Sequence, residues 1–76
     1  MNDSRRNRLE QAAKLISEAI GIIKEIGDEE QDLLTNLPQN LKDGERGDAL
    51  EATIHSINDI VSHLEEALDG TNDALF

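Results

Sequence analysis

Apolar residues recur along the first half of the chain at the spacing of an α-helix. They follow one another at steps of 3, 4, 3, 4, 3 and 7 residues, at Leu9, Ala12, Ile16, Ala19, Ile23, Ile26 and Leu33. This is the a/d seam of a helix that packs against another helix. The stripe is widened by Ala13, Ile20 and Leu34 on one flank and by Leu15 and Ile22 on the other. The pattern predicts a helix over about residues 4–35 whose apolar stripe is wider than one partner helix can cover.

A polar segment, GDEEQD, interrupts this stripe. It places Glu30 at a seam position, and its first residue, Gly27, costs a helix about 1 kcal/mol relative to Ala. A break at Gly27 followed by a new helix is one interpretation. We favour one continuous helix, because the apolar spacing keeps its phase from Ile26 to Leu33 and a break would reset that phase.

The only proline of the sequence is Pro38. The first helix is expected to end just before it, because proline disfavours helical geometry at the preceding residue. The stretch that follows, PQNLKDGERG, is rich in turn residues. Asp48 and Glu51 have the spacing of a capping box, and a start at Asp43 fits nearly as well. We therefore predict a loop over about residues 36–47.

The second helix has the cleaner pattern. Its apolar residues step by 4, 3, 4, 3 and 4, at Leu50, Ile54, Ile57, Val61, Leu64 and Leu68, with Thr53, Ile60 and Ala67 on the flank. Gly70 is typical of the residue that follows a helix C-terminus. The pattern predicts a helix over about residues 48–69 and a short tail over residues 70–76.

These two helices predict an all-α fold in a single domain. Two antiparallel helices bury one stripe each, and both predicted stripes are wider than that. We therefore expect a two-helix antiparallel hairpin that dimerises into a four-helix bundle. A monomeric hairpin with partly exposed flanks is the alternative. The core and the dimer contact are expected to include Ile16, Ile20, Ile23, Ile54, Ile57, Val61 and Leu64.

The composition limits the ways in which a chain this short can be stabilised and the classes of molecule that it can bind. A chain of 76 residues without Cys has no disulfides or thiolate metal sites, which leaves helix packing and self-association. The net charge of −10 opposes direct contact with nucleic acid and with anionic membranes.

No apolar run reaches the roughly 20 residues of a membrane span, and the N-terminal stretch lacks the apolar region of a secretory signal. We expect a cytoplasmic protein.

The charge is unevenly distributed. Residues 1–24 carry 5 basic and 3 acidic groups, whereas residues 25–76 carry 2 basic and 14 acidic groups. Carboxylates along rigid helices can imitate a phosphate array and occupy the basic groove of a DNA-binding enzyme, so an inhibitor that mimics nucleic acid is one candidate function. A surface that serves solubility alone is the other interpretation.

Two patterns offer potential metal ligands. One face of the second helix carries residues at zinc-ligand spacing, at His55, Asp59, His63 and Glu66. That face is expected to point into solvent, so a solvated polar stripe is favoured. Acidic pairs such as Glu25 and Asp28 resemble those that hold magnesium in helical nucleotide pyrophosphatases, but they lie mostly outside the seam. We predict no catalytic, cofactor-binding or metal-binding residue, and no enzyme activity.

The strings EEQDLLTNLPQNL and GERGDALE, followed by a helix that ends in LEEAL, resemble a group of small acidic helical proteins of tailed phages and prophages. The similarity covers about residues 25–68. Its most specific part is Asn36, Leu37, Pro38, Leu41, Glu45, Arg46 and Gly47. The resemblance implies a phage or prophage origin and a helical hairpin, and it carries over no catalytic residue. This chain has Gly44 where the pattern of the group has Ser before ERG.

The loop residues have a structural and a functional interpretation. In the structural one, which we favour, Leu37 and Leu41 fold under the end of the hairpin and Arg46 offsets nearby carboxylates. In the functional one, the loop is a docking surface whose candidate partner-binding residues are Leu37, Pro38, Leu41, Glu45 and Arg46. We therefore expect a non-enzymatic protein-interaction factor of phage type that binds a second copy of itself and a basic host protein. A structural or assembly subunit is the competing class.

Overall fold

The computed structural model describes residues 1–75, which form the helices α1 (Asp3–Asn36), α2 (Gln39–Lys42) and α3 (Glu45–Leu75). No strand occurs within this range, so the predicted all-α class is confirmed. The molecule is a rod with extents of 59 × 14 × 13 Å and a radius of gyration of 17.3 Å. A compact domain of this length would have a radius of gyration of about 11 Å. The fold is thus an extended pair of long helices with a thin core.

α1 and α3 pack along each other in opposite directions. At one end of the rod, the guanidinium Nη1 of Arg6 donates a hydrogen bond to the backbone carbonyl of Leu75. Further along, Gly27 of α1 lies against Ile57 of α3. The short helix α2 packs on α3 at the other end. Below, "the helix pair" means α1 and α3 in this antiparallel contact.

The face of α1 that packs on α3 follows a strict heptad pattern. Its residues step alternately by 4 and 3, at Leu9, Ala13, Ile16, Ile20, Ile23, Gly27, Glu30 and Leu34. The predicted assignment of Ile26 and Leu33 to the seam is wrong, because these side chains are 43% and 53% exposed. Ala12 and Ala19, also predicted in the seam, lie on its flank, whereas the predicted flank residues Ala13, Ile20 and Leu34 lie in it. The pattern misplaced them because the true seam passes through a glycine and a glutamate while apolar residues continue on the flank.

α3 presents the matching heptad face. Its residues are Gly47, Leu50, Ile54, Ile57, Val61, Leu64, Leu68, Thr71 and Leu75. All of the predicted core residues therefore lie on the contact between α1 and α3. Even the most buried side chains, Ile20, Ile57 and Val61, keep 8% to 9% of their surface exposed. One stripe from each helix makes the whole core.

The predicted tail is wrong over residues 70–75, where α3 continues, and Phe76 lies outside the described residues. A glycine inside a helix costs about 1 kcal/mol, which favours an end at Gly70 on local grounds. Thr71 and Leu75, however, are half-buried on the heptad face. The hydrogen bond from Arg6 to the Leu75 carbonyl also holds the last turn. Contact with the first turns of α1 therefore overrides the local preference.

The connection between the long helices is shorter than the predicted loop over residues 36–47. The backbone N–H of Lys42 donates to the carbonyl of Pro38 at 3.0 Å, which closes the single turn of α2. α3 begins at Glu45, so the predicted start with Asp48 as the N-cap is wrong. The N–H of Asp48 instead donates to the carbonyl of Gly44 at 3.1 Å, as inside a helix. Because α2 packs on α3 at this point, α3 must already be helical there.

α1 runs unbroken through its two glycines, as the phase of the pattern favoured. Gly27 occupies a seam position, and a Cβ atom placed there would lie 3.0 Å from Cγ2 of Ile57. Gly21 lies on the exposed side, where an added Cβ would meet no atom within 4 Å. The glycine in the seam therefore permits a close approach of the helices, whereas Gly21 has no such role.

Gly21→Ala and Gly27→Ala form a matched pair. Replacing a helical glycine by alanine stabilises an exposed helix by about 1 kcal/mol, so Gly21→Ala should raise the free energy of unfolding by about that amount. At Gly27 the added methyl group meets Ile57, so we expect no gain or a loss. Urea unfolding followed by circular dichroism measures both values. Equal stabilisation by the two substitutions would contradict the close contact at Gly27.

Candidate protein-interaction surfaces

The helix pair has two broad sides, and one of them is polar. A groove of about 550 Å³ beside Gly27 shows which positions share this side. Its polar lining comes from both helices, namely Lys24, Asp28 and Gln31 of α1 and Asn58, Ser62 and Glu65 of α3. These residues lie on the same flank of the heptad seam in each helix. We call this side, defined by those six residues, the polar face.

The opposite side of the helix pair is apolar. On α1 a second stripe runs beside the seam, at Ala12, Leu15, Ala19, Ile22, Ile26 and Leu33. On α3 the corresponding flank carries Thr53, Ile60, Ala67 and Ala74. In an antiparallel pair, equivalent flanks of the two heptads lie on the same side, as the polar groove shows for the other flank. We call these ten residues together the apolar face.

The large side chains of the apolar face are well exposed. Leu15, Ile22 and Ile60 expose 58%, 59% and 45% of their surface, in addition to Ile26 and Leu33. Contiguous apolar patches on soluble proteins typically mark binding sites for other proteins. The distribution is also sharply one-sided, because none of these large exposed aliphatic side chains lies on the polar face. The apolar face is therefore the first candidate for an interaction surface.

The total solvent-accessible area of the chain also favours an interaction surface. The solvent-accessible surface of the chain is 5603 Å². A folded monomer of 8.4 kDa exposes about 4,600 Å² on average. The excess is about 1,000 Å², and a standard protein interface removes about 800 Å² from each partner. The surface that this rod leaves uncovered is thus of the size that one interface covers.

The predicted loop residues lie at one tip of the rod. Leu37 is half-buried, whereas Pro38, Glu45 and Arg46 are exposed and Leu41 is 41% exposed. The expectation that Leu41 closes the end of the core is wrong. No ion pair of Arg46 with a carboxylate is found within residues 1–75, so the expected charge compensation is not observed there.

The end of the core is closed instead by the backbone of α2. Gly47 is buried, and a Cβ atom at this position would overlap the carbonyl group of Lys42 and lie 2.7 Å from its Cα. Any side chain at Gly47 would push α2 away from α3. The glycine of the ERG string therefore has a structural role, which leaves the exposed residues Pro38, Leu41, Glu45 and Arg46 available for contacts.

The potential metal ligands do not form a site. Nε2 of His55 lies 3.6 Å from Oδ2 of Asp59, and both side chains are largely exposed. Within the described residues, no group of three or more His, Asp or Glu side chains lies close enough to hold a metal ion. No helix formed by residues 1–75 has the length and apolar content that crossing a membrane requires.

Sequence reasoning found the flank residues Leu15, Ile22 and Ile60 but missed that Ile26 and Leu33 belong with them. The missed signal is a second heptad run on α1, whose steps of 3, 4, 3, 4 and 7 connect Ala12 to Leu33 beside the true seam. The polar groove at Gly27 was also missed. It exists because a seam residue without a side chain opens the surface next to it.

No family model matches the chain, and comparisons with curated proteins and with solved structures give no match. The similarity of the loop to phage proteins therefore remains an expectation from its residues.

Gly47→Ser and Gly44→Ser test the packing of α2 with the same substitution three residues apart. Gly47→Ser should lower the free energy of unfolding by about 1–3 kcal/mol, because Lys42 must move. At Gly44 the nearest atom to an added Cβ is 3.6 Å away, and serine is a favoured helix N-cap, so this variant should be neutral or more stable. Thermal unfolding compares the two. A Gly47→Ser variant as stable as Gly44→Ser would show that the contact with Lys42 is not formed.

Proposed function

We propose that this chain is a non-enzymatic protein-interaction factor that acts as a homodimer. In this proposal two hairpins pack through their apolar faces into a four-helix bundle, and their acidic outer surfaces and loop tips contact a basic protein. The observation that carries it is the segregation of chemistry between the two sides of one helix pair. Carboxylates, amides, a lysine and a serine line one side, and uncovered isoleucine and leucine side chains line the other.

The dimer is favoured by the balance between the buried core and the exposed apolar surface. The seam buries one stripe from each helix, and the apolar face repeats nearly the same kind of stripe without a partner. Burying that apolar surface stabilises the dimer by roughly 25 cal/mol per Å². A four-helix bundle is the packing that buries two stripes of each helix. A second copy always presents the same face, so a two-fold contact satisfies both chains.

The basic partner is favoured by the charge that remains outside such a dimer. The chain carries a net charge of −10, so a homodimer carries twice that. A surface of this sign attracts a basic protein and repels nucleic acid, and the attraction weakens with salt. The exposed loop residues Pro38, Leu41, Glu45 and Arg46 add a docking point at each tip. The resemblance of this loop to phage proteins supports a host protein as the partner.

The dimer is tested by a substitution on each side of α1. At micromolar concentration the wild-type chain should sediment near 17 kDa, twice the chain mass of 8.4 kDa. Ile22→Asp puts an unpaired charge into the apolar face and should weaken the dimer at least tenfold while the helix content stays high. Ser17→Asp adds the same charge on the polar side and should leave the dimer intact. A wild-type mass near 8.4 kDa would refute the dimer.

The partner is tested by affinity capture from a bacterial lysate at low and high salt. We expect a basic protein that is retained at low salt, released at high salt, and lost with the polar-face variant Asp28→Asn/Glu65→Gln. The control Lys14→Gln removes a charge of the opposite sign and should not reduce capture. Capture that resists salt and requires Ile22 instead would reject the acidic contact and favour an assembly subunit held by apolar contacts.

A further inference from the structure

We propose that the two copies in the dimer lie head to tail, so that the loop tip of each copy lies over the N-terminal end of the other. Arg5 of each copy then lies opposite Glu29 of the second copy, and Arg8 lies one turn further along the same helix. This inference rests on the dimer of the proposed function and specifies its geometry.

Two-fold symmetry allows only two ways to join the apolar faces with the rods aligned. With the axis along the rod, α1 of one copy covers α3 of the other and both loop tips lie at the same end. With the axis across the rod, α1 covers α1, α3 covers α3, and the tips lie at opposite ends. All facing helices are antiparallel in both cases, and both cases cover the same face. Buried area therefore does not decide between them, but charge and shape do.

The charges at the two ends of the rod favour the head-to-tail arrangement. Residues 25–48, at the loop end, carry 8 acidic and 2 basic groups. At the other end, residues 1–14 carry 4 basic and 2 acidic groups, beside 4 acidic groups in residues 65–75. The loop end is thus at −6 and the opposite end at −2. Joining the loop ends would bring the two most negative regions together, whereas the head-to-tail arrangement separates them.

The charged residues at the two ends of the α1 stripe also favour the head-to-tail arrangement. The heptad run through Ala12 and Ile22 reaches Arg5 and Arg8 toward the N-terminus and Glu29 toward the loop. These three side chains are exposed in the single chain, and Arg5 and Arg8 border a concavity. In a head-to-tail contact the arginines of one copy meet the glutamate of the other at both ends of the interface. Each guanidinium then gains a carboxylate at the rim of an apolar contact.

The shape of the apolar face fits the same register. A concavity of about 370 Å³ lies at its N-terminal end, lined by Met1, Arg5, Arg8, Leu9 and Ala12. At the other end of the stripe, Leu33 projects with 53% of its surface exposed. A head-to-tail contact brings the concavity of each copy to Leu33 of the other. In the head-to-tail arrangement, the projecting Leu33 of each copy therefore fits the N-terminal concavity of the other copy.

Heptad spacing then fixes the intervening layers. If Arg5 faces Glu29 of the second copy, counting inward by heptad steps places Ala12 opposite Ile22 and Leu15 opposite Ala19. A small side chain thus meets a large one in these two central layers, which is the packing that fills a helix interface without voids, and the next layer outward places Arg8 opposite Ile26. The two-fold axis crosses the apolar face at the level of residue 17 of α1, so the copies overlap over most of their length. The loop tips then lie at opposite ends of the bundle.

A distance between labelled loop tips separates the two arrangements. The chain has no Cys, so Gln39→Cys gives a single spin-label site at the exposed tip. Double electron–electron resonance should report about 60 Å between the tips, near the 59 Å length of the rod. The same-end arrangement would give less than about 30 Å, because facing helices lie only 8–10 Å apart. Glu18→Cys, close to the axis, serves as the control and should give a short distance in any dimer.

Charge reversal tests the arginine–glutamate pairs independently. Arg5→Glu/Arg8→Glu and Glu29→Arg should each raise the dimer dissociation constant about tenfold, and the triple variant should restore it. Lys14→Glu, on the other flank of α1, changes the same kind of charge and should have little effect.

Each outcome decides the arrangement. A long tip distance with rescue by the triple variant supports it. A short tip distance, or a triple variant no better than the single reversals, overturns it while the dimer itself stands. If the Glu18→Cys control shows no distance between copies, the dimer fails and the arrangement fails with it.

Discussion

The structure depends on a single narrow contact, the heptad seam between α1 and α3. Two helices can bury only one stripe each against one another, and here that stripe includes two glycines and a glutamate. Side chains at the centre of the seam, such as Ile20 and Val61, are still not fully covered. The seam determines which residues face inward, and by doing so it also determines that Leu15, Ile22, Ile26 and Leu33 face outward. The exposed apolar face is thus a consequence of the fold's limited core.

The glycines of this chain have distinct physical roles that a pattern of apolar residues does not reveal. Gly27 lets the long helices approach at Ile57 and opens the polar groove beside it. Gly47 lets the backbone of Lys42 lie on α3 and so defines the tip of the rod. Gly21, by contrast, contacts nothing that an alanine would disturb. Close backbone approach at two points allows a core made of few side chains to hold the helices in register.

The sequence predicted most where the cause is local. The end of α1 before Pro38 follows from the geometry of proline, and the α3 seam follows from an uninterrupted apolar heptad. The start of α3 was missed because it depends on α2 packing at Gly47. Its end at Leu75 was missed because Arg6, nearly the whole chain away, holds the last turn. On α1, Gly27 lies in the true seam while Ile26 lies outside it, so hydrophobicity alone pointed to the neighbouring face.

We propose that a second copy of the chain covers the apolar face. Thermal unfolding of the wild-type protein over a hundredfold range of concentration tests this dimer. Folding coupled to dimerisation makes the midpoint rise with concentration, because mass action favours the folded dimer. We expect the midpoint to rise by several degrees. A midpoint that is the same at every concentration would mean that the helix pair is stable alone with its apolar face in water, and would refute the dimer.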